Sequence, residues 1–337
     1  MKDLGAADLA ACRVLLAGGS KSFRAASRLL PARIATPAAA LYGFCRVADD
    51  AIDEAPDPAA ALPALQARLD AILAGRPQHH PADRAFAVVV RDFGIPRALP
   101  AALVEGFAWD AAGRRYADLA ALEGYAARVA ASVGVMMTLL MGVRDPVALA
   151  RACDLGVAMQ LTNIARDVGA DAQMGRLYLP LDWMAEAGLE AEAFLAAPRF
   201  TPALGDVVRR LLRHADTLYA RAEQGFAYLP WDCRAGIGAA RHVYAAIGRA
   251  VEGQGGDSVT HRAVVSGSAK ARLMARGMTA LAARPARHPA PPLPAVRFLV
   301  EAVGTQAVPP ALADRIARAV ALFDRLGQNT ALGPMTR

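Results

Sequence analysis

The sequence contains few cysteines, few aromatic residues and no long uninterrupted apolar run. Its four cysteines are far apart and include no C-x-x-C pair, which excludes a disulfide framework and a cysteine zinc site. Aromatic residues make up only 6% of the 337 residues. The longest apolar stretch covers 129–143, shorter than the ~20 residues of a membrane span. We interpret it as a buried helix, and the first residues lack the apolar region of a signal peptide.

The composition favours a helical globular chain. Hydrophobic residues make up 55% and charged residues 20%, which excludes a disordered chain. Alanine, the best helix former, is abundant, and helical periodicity is nearly continuous from residue 6 to 283. No strand-like alternation interrupts it. The sequence therefore predicts an all-α bundle, with breaks at Thr36-Pro37 and with a helix from about Ala148 to Leu179.

The formal net charge is +7, and we interpret the excess as arginine spread along the chain. No zinc-finger, RRM or helix-turn-helix signature accompanies it, so we expect no nucleic-acid partner. A net positive charge is compatible with an anionic substrate or with an anionic membrane surface. It is also compatible with basic residues that are merely solvated at the protein surface.

Three segments make up the predicted organisation. Residues 1–283 form a single domain. Residues 284–294 contain five prolines and are predicted to be a stiff connector. Residues 295–337 are predicted to be a C-terminal helical extension, in which 311–326 is amphipathic and packs on the core or lies on a membrane.

Two sets of polar residues form the candidate functional site. Helical spacing places the members of each set on one face of its helix, as a polar stripe. Their positions lie at offsets of 0, 4, 7 and 11 in one stripe and 0, 3, 7 and 11 in the other. The flanking residues are mostly apolar, so we expect both stripes to point into the protein, where bare carboxylates require a cation. The stripes are Tyr42, Arg46, Asp49 and Asp53, and Gln160, Asn163, Asp167 and Asp171.

The cation is predicted from its ligands, which are all oxygens and therefore select Mg²⁺, Mn²⁺ or Ca²⁺. With Arg46 and Arg166 facing the same anion, the stripes predict a diphosphate held by Mg²⁺ between two helices. The alternative is a set of surface ion pairs, Arg46 with Asp49 or Asp50 and Asp167 with a neighbouring arginine. Residues 129–142, apolar around the whole helix, form either a core helix or one wall of a tunnel.

These motifs resemble the squalene/phytoene synthase family, most closely its bacterial phytoene synthases. The matching segments are 20–23, 26–31, 41–54, 160–171, 175–180, 228–230, 240–244 and 262–266. The resemblance implies a single-domain all-α isoprenoid-synthase bundle with a central cavity. It implies a prenyltransferase that joins two geranylgeranyl diphosphates head-to-head, through prephytoene diphosphate, to 15-cis-phytoene, the first committed step of carotenoid biosynthesis. A C30 dehydrosqualene or squalene-type synthase and a non-catalytic assembly or lipid-binding relative remain alternatives.

The resemblance also implies roles for single residues. The catalytic set is Asp49, Asp53, Asp167, Asp171, Tyr42 and Arg46. Magnesium, with manganese as an alternative, is held by Asp49, Asp53, Asn163, Asp167 and Asp171, and no NADPH is expected. Substrate is bound by Gly19, Ser20, Lys21, Ser22, Phe23, Tyr42, Arg46, Gln160, Arg166, Tyr244 and Arg262. Aromatic faces of Phe23, Tyr42 and Phe44 are expected to stabilise a carbocation.

The expected partners follow from the same resemblance. The substrate is an isoprenoid diphosphate, and the product is a hydrocarbon with almost no solubility in water. We therefore expect a cytoplasmic protein in peripheral contact with the inner face of the membrane. The resemblance leaves open contact with other carotenoid-pathway enzymes. It does not fix the choice between C15 and C20 substrates.

Overall fold

The computed structural model describes residues 3–19 and 21–304, and it confirms the all-α prediction. These residues contain no β-strand. The helices are α1 (Ala6–Gly19), α2 (Lys21–Ser27), α3 (Ala32–Asp53), α4 (Pro58–Leu73), α5 (Pro81–Phe93), α6 (Ala98–Ala111), α7 (Leu119–Ala126), α8 (Ser132–Leu140), α9 (Pro146–Gln173), α10 (Leu181–Glu186), α11 (Ala191–Ala196), α12 (Pro202–Glu223), α13 (Trp231–Gly253), α14 (Gly267–Arg276) and α15 (Arg297–Gly304).

The long helix α9 lies at the centre of the bundle and contacts α8, α12 and α13. It begins where Asp145 accepts hydrogen bonds from the backbone N–H groups of Val147 and Ala148, with Pro146 in the first helical position. It ends at Gln173, short of the predicted end at Leu179. The reason is Gly175, whose φ of 72° lies in the left-handed region and stops the helix.

The helix α3 carries the first polar stripe and packs against α1 and α5. The predicted break at Thr36-Pro37 is wrong, because α3 runs through Pro37 without interruption. Proline removes one backbone hydrogen bond there. Burial of Ile34, Leu41 and Phe44 on the same helix offsets that loss.

The apolar segment after α6 forms α7, a π-helical turn at Ala127–Ala131, and α8. By length and composition alone, Leu119–Leu140 is the one candidate membrane span among the described residues. Half of its most apolar window is buried inside the bundle, and Val135, Met136 and Leu139 are fully enclosed. This burial is typical of the core helix of a globular protein.

Beyond α14 the chain forms a 3₁₀ turn at Gly277–Ala282 and then continues without a helix to Leu293. A short 3₁₀ turn leads into α15, where Val296, Leu299 and Val303 join the main hydrophobic core. The start of the predicted C-terminal extension is therefore packed against the bundle. The predicted amphipathic helix at 311–326 lies outside the described residues.

Candidate functional site

The first stripe runs along α3 to its last turn, and its carboxylates are only half-buried. The side chains of Asp49 and Asp53 are 40% and 38% exposed, so the expectation of an inward-facing stripe is wrong at this end. Arg46 contacts Asp50 at 2.5 Å and Asp49 at 3.5 Å. The ion pairs of the alternative interpretation therefore exist on α3, and Asp50 is the closer partner.

The second stripe lies on the C-terminal half of α9, where the helix changes conformation. Asp167 has φ −108° and ψ 15°, outside the helical region. Both of its carboxylate oxygens accept hydrogen bonds from Arg166. Arg262 donates to the same carboxylate from the other side, with its Nε 2.8 Å from Oδ1. Two predicted substrate-binding arginines thus converge on one predicted metal ligand.

Arg262 reaches this position because its segment lies directly against α9. The backbone N–H of Gly169 donates to the carbonyl of Ser258 at 3.0 Å. A Cβ at Gly169 would lie 2.6 Å from the Val259 carbonyl oxygen, closer than real Cβ atoms approach. Only glycine permits this contact, which places the predicted phosphate-binding Arg262 beside the second stripe.

Sequence reasoning missed a half-buried carboxylate on α6. Asp110 accepts hydrogen bonds from the hydroxyl of Tyr178 at 2.7 Å and from that of Tyr125 at 2.9 Å. The rings of Tyr116, Tyr125 and Tyr178 pack on one another beside it. Tyr178 falls within the matching segment 175–180, which was a usable signal. Asp110 lies in the mostly apolar helix α6, outside every matching segment, and carries no such signal.

Asp110 lies close enough to both stripes to act on each. Burial is the main cause that raises the pKa of Asp49 on α3 and of Asp171 on α9, and the charge of Asp110 adds to it at both. Arg176, just beyond the end of α9, contacts Asp53 at 2.6 Å and links the two stripes directly. Arg176 is a second functional candidate that the residue spacing did not predict.

The pKa values within the site diverge. Burial, followed by the charge of Asp53, raises the pKa of Asp49 to about 7. Burial, followed by the charge of Asp167, raises the pKa of Asp171 to about 7. Burial acts in the same direction on Asp167, but hydrogen bonds from Arg166 and Arg262 outweigh it and lower its pKa. The charge of Asp167 is thus balanced by two arginines. At Asp49 and Asp171, arginines do not offset the cost of burying a negative charge.

An apolar cavity of about 300 Å³, partly open to solvent, lies beside the stripes. Tyr42, Gln160, Asn163 and Tyr244 line it, whereas the four stripe aspartates do not. Val129, Val133, Gly134, Met137 and Met141 also line it, so the apolar segment is a cavity wall as well as a core helix.

The predicted role of Phe44 is wrong. Phe44 is 1% exposed, stacks on Phe86 with ring centroids 4.3 Å apart, and does not line the cavity. It lies on the opposite side of α3 from the stripe. Of the three aromatic candidates, Tyr42 does line the cavity, where it can face a cation.

The predicted binding segment 19–23 lies at the junction of α1 and α2. A Cβ at Gly19 would overlap the Tyr42 hydroxyl, so the end of α1 is in contact with the first stripe. Lys21, Ser22 and Phe23 lie in α2. Ser20 and the side chains of those three residues lie outside the described part of the chain.

The donor set fits a hard divalent cation by its chemistry. Asp49, Asp53, Asn163, Asp167 and Asp171 offer only oxygen ligands, and the raised pKa values of Asp49 and Asp171 show carboxylates whose charge a cation would stabilise. Within residues 3–19 and 21–304, however, no three His, Cys, Asp or Glu side chains form a ready-made metal cluster. Such a set suits a metal that takes its remaining ligands from substrate phosphates and water.

Comparison with known proteins agrees with this arrangement. The family model described as squalene/phytoene synthase matches residues 16–269. The chain is 53% identical to the phytoene synthase of Cereibacter sphaeroides, over 89% of this chain and 88% of that one. It is 54% identical to the phytoene synthase of Rhodobacter capsulatus, over 88% of this chain and 90% of that one.

Solved structures show the same fold. A dehydrosqualene synthase crystallised with a ligand superposes with a TM-score of 0.76 at 32% identity, over 82% of this chain and 97% of that one. A squalene synthase of Alicyclobacillus acidocaldarius superposes with a TM-score of 0.67 at 25% identity, over 74% of this chain and 94% of that one. The stripes, the cavity and these similarities agree: the chain belongs to the squalene/phytoene synthase family.

Proposed function

We propose that this chain is a prenyltransferase that joins two geranylgeranyl diphosphates head-to-head, through prephytoene diphosphate, to phytoene. The reaction needs no reductant, so no NADPH is required. The observation that carries the proposal is the pair of aspartate stripes above a long apolar cavity. The similarity to two phytoene synthases at 53% and 54% identity supports the C20 substrate over a C15 one.

The arginines of the site are the groups that bind diphosphate. Arg46, Arg166 and Arg262 are each paired with carboxylates. A diphosphate carries more charge than a carboxylate and accepts bidentate hydrogen bonds from guanidinium groups, so it competes well for them. Binding then exchanges carboxylate partners for phosphate oxygens and frees the aspartates.

We propose that Asp49 and Asp53 on α3, and Asn163, Asp167 and Asp171 on α9, hold Mg²⁺, with Mn²⁺ as an alternative. When bound, the metal neutralises the departing diphosphate and so favours ionisation of the allylic C–O bond. The apolar walls of the cavity offer no hydrogen bonds to water, which disfavours water beside the carbocation. Tyr42 lines the cavity, and its aromatic ring would stabilise positive charge on the reacting carbons.

The test is product analysis with purified protein, detergent and Mg²⁺, with geranylgeranyl diphosphate and farnesyl diphosphate supplied in parallel. We expect phytoene from the C20 substrate. Asp49→Asn should lower kcat by about 10²–10³, the range for losing one electrostatic contact to developing charge. Asp50→Asn is the matched control, because Asp50 neighbours Asp49 and pairs with Arg46 but lies off the stripe.

Three results would contradict the proposal or part of it. A C30 hydrocarbon from farnesyl diphosphate, with nothing from the C20 substrate, would correct the substrate and favour the C30 alternative. No product from either substrate by folded protein would favour a non-catalytic relative. An equal loss in the Asp49 and Asp50 variants would argue against a stripe with a specific role.

We also propose that the protein is cytoplasmic and contacts the inner face of the membrane peripherally. The charge is not spread evenly along the chain, contrary to the interpretation from composition: residues 258–300 contain seven Lys and Arg and no Asp or Glu, which equals the whole formal excess of +7. Exposed apolar side chains lie in the same segment, Val264 at 76% and Met278 at 50%. This combination suits an anionic lipid surface. There, phytoene would also be available to the next enzyme of the pathway.

A further inference from the structure

One charged residue lines the apolar cavity within the described part of the chain. Arg151, on α9, is among the lining residues, and all its companions there are apolar, small or uncharged polar. Its side chain is only 1% exposed, which makes it the largest fully buried side chain described. A guanidinium is costly to bury beside an apolar cavity, so the position of Arg151 needs an explanation.

Arg151 lies at the far end of the cavity from the aspartates. The lining residues of α9 follow one face of the helix: Ala148, Arg151, Ala152, Leu155, Gly156, Met159, Gln160 and Asn163. Twelve residues separate Asn163 from Arg151, about 18 Å along the helix axis. Only Ala148 lies beyond it on this face. That span is comparable to the extended length of a C20 isoprenoid chain.

The guanidinium of Arg151 is held in place from several sides. Its Nε lies 3.0 Å from Oδ2 of Asp154, which is completely buried and also contacts Arg221 at 3.1 Å. Its Nη2 donates to the Pro291 carbonyl at 3.3 Å, and Arg221 donates to the same carbonyl at 2.8 Å. Neither Nη1 nor Nε has a hydrogen-bond partner in the described structure, so the contact of Nε with Asp154 is an ion pair only.

The chain leaves no room for this side chain to retreat toward α12. A Cβ at Gly225 would overlap Cβ of Arg151 and lie 3.0 Å from its Cγ. The absence of a side chain at Gly225 thus lets the stem of Arg151 pack tightly against the turn after α12. Displacement in any direction would leave Asp154 buried with one arginine fewer, which is strongly unfavourable.

We propose that Arg151 forms the end wall of the cavity and sets the upper limit on the length of the isoprenoid chain that the protein accepts. This inference rests on the proposed function. The apolar walls along α9 let a hydrocarbon chain extend as far as Arg151. A terminal methyl group cannot replace the contacts to Asp154 and Pro291, so a longer chain cannot displace the guanidinium. The limit is set by the fixed position of the Arg151 side chain, which its guanidinium holds in place through Asp154 and Pro291.

The test is a competition between geranylgeranyl diphosphate and geranylfarnesyl diphosphate, which is one isoprene unit longer, in the same reaction. Consumption of each, followed by mass spectrometry, gives a ratio of kcat/KM values that does not depend on how much protein is active. Wild type should prefer the C20 substrate. Arg151→Ala/Asp154→Asn, which shortens the wall without leaving a bare carboxylate, should raise relative use of the C25 substrate at least about tenfold.

Arg221→Ala is the matched control, because Arg221 contacts the same Asp154 and Pro291 but does not line the cavity. Its ratio of kcat/KM for the C25 substrate to that for the C20 substrate should stay within about twofold of wild type. A twofold change is much smaller than the discrimination expected from one added isoprene unit. Arg151→Leu, which is apolar and shorter than arginine, provides a second variant if the double variant does not fold; it should also raise the ratio.

The possible results separate the inference from the proposed function. An unchanged ratio in a folded Arg151 variant, an equal rise in Arg221→Ala, or equal use of both substrates by wild type would overturn the role of Arg151. In each of these cases phytoene is still formed from the C20 substrate. If wild type consumes neither diphosphate, it is the proposed function that fails.

Discussion

At the scale of single residues, Gly169 brings α9 into close backbone contact with Val259, in the segment that carries Arg262. We predict that Gly169→Ala destabilises the protein by about 1–3 kcal/mol, because the new Cβ would lie 2.6 Å from a backbone oxygen that cannot move freely. Chemical denaturation measures the change. Activity should fall as well, because Arg262 would move away from Asp167.

The control for Gly169→Ala is Gly253→Ala. Gly253 ends α13 and is exposed, and a Cβ added there would have no other atom within 4 Å. Alanine there should be neutral or slightly stabilising, by at most about 1 kcal/mol. Similar losses in both variants would mean that the close contact with Val259 has no special importance.

His242 on α13 gives a pH-dependent prediction. Burial, together with the charges of Arg241, Arg249 and Arg276, lowers its pKa from 6.5 to about 4. Between these values the unfolded chain binds the proton and the folded chain does not, so stability is lost as the pH falls from 6.5 toward 4. We predict that His242→Gln loses less stability than wild type over this interval, measured by denaturation at several pH values. Parallel pH profiles of the two proteins would contradict this assignment.

At the scale of helices, the register of each polar stripe followed from the sequence, because residues 3, 4, 7 and 11 apart share a face of any α-helix. What each stripe faces did not follow, because that depends on packing between distant segments. Asp110 on α6 and Arg176 after α9 meet the stripes only in the folded bundle. The misassignment of Phe44 has another cause: two residues after Tyr42, it falls on the opposite face of α3, where Phe86 of α5 packs against it.

An ion pair between α4 and α5 tests how burial changes the contribution of a salt bridge to the free energy of unfolding. Asp83 is completely buried and receives two hydrogen bonds from Arg68, at 2.6 and 2.7 Å. We predict that Asp83→Ala costs about 3–5 kcal/mol of unfolding free energy, because it leaves a largely buried guanidinium without its partner. The exposed pair of Asp70 and Arg97 is the matched control. Asp70→Ala should cost less than about 1 kcal/mol.

Equal losses in these two variants would show that packing, rather than the buried charge, links α4 to α5. The comparison uses the same substitution at two ion pairs that differ chiefly in burial. Thermal and chemical denaturation should agree on the order, with Asp83→Ala the less stable of the two.

At the scale of the whole molecule, the charge is divided unevenly between two regions with different tasks. The site gathers carboxylates and arginines above the cavity, whereas residues 258–300 carry basic residues and no acidic ones. Arg272, Arg276, Arg284, Arg287 and Arg297 are exposed there. Arg262, in the same segment, contacts Asp167, so the basic segment is continuous with the edge of the site.

This distribution predicts how the protein binds lipid vesicles. Wild type should bind vesicles that contain phosphatidylglycerol, bind pure phosphatidylcholine vesicles weakly, and lose affinity as salt is raised. Arg284→Glu/Arg287→Glu should weaken binding at least about tenfold, since each basic residue near the surface contributes ~1 kcal/mol. Arg199→Glu/Arg213→Glu changes the net charge equally at exposed positions outside the segment. Equal weakening by both pairs would show that total charge, rather than a docking surface at 258–300, controls membrane contact.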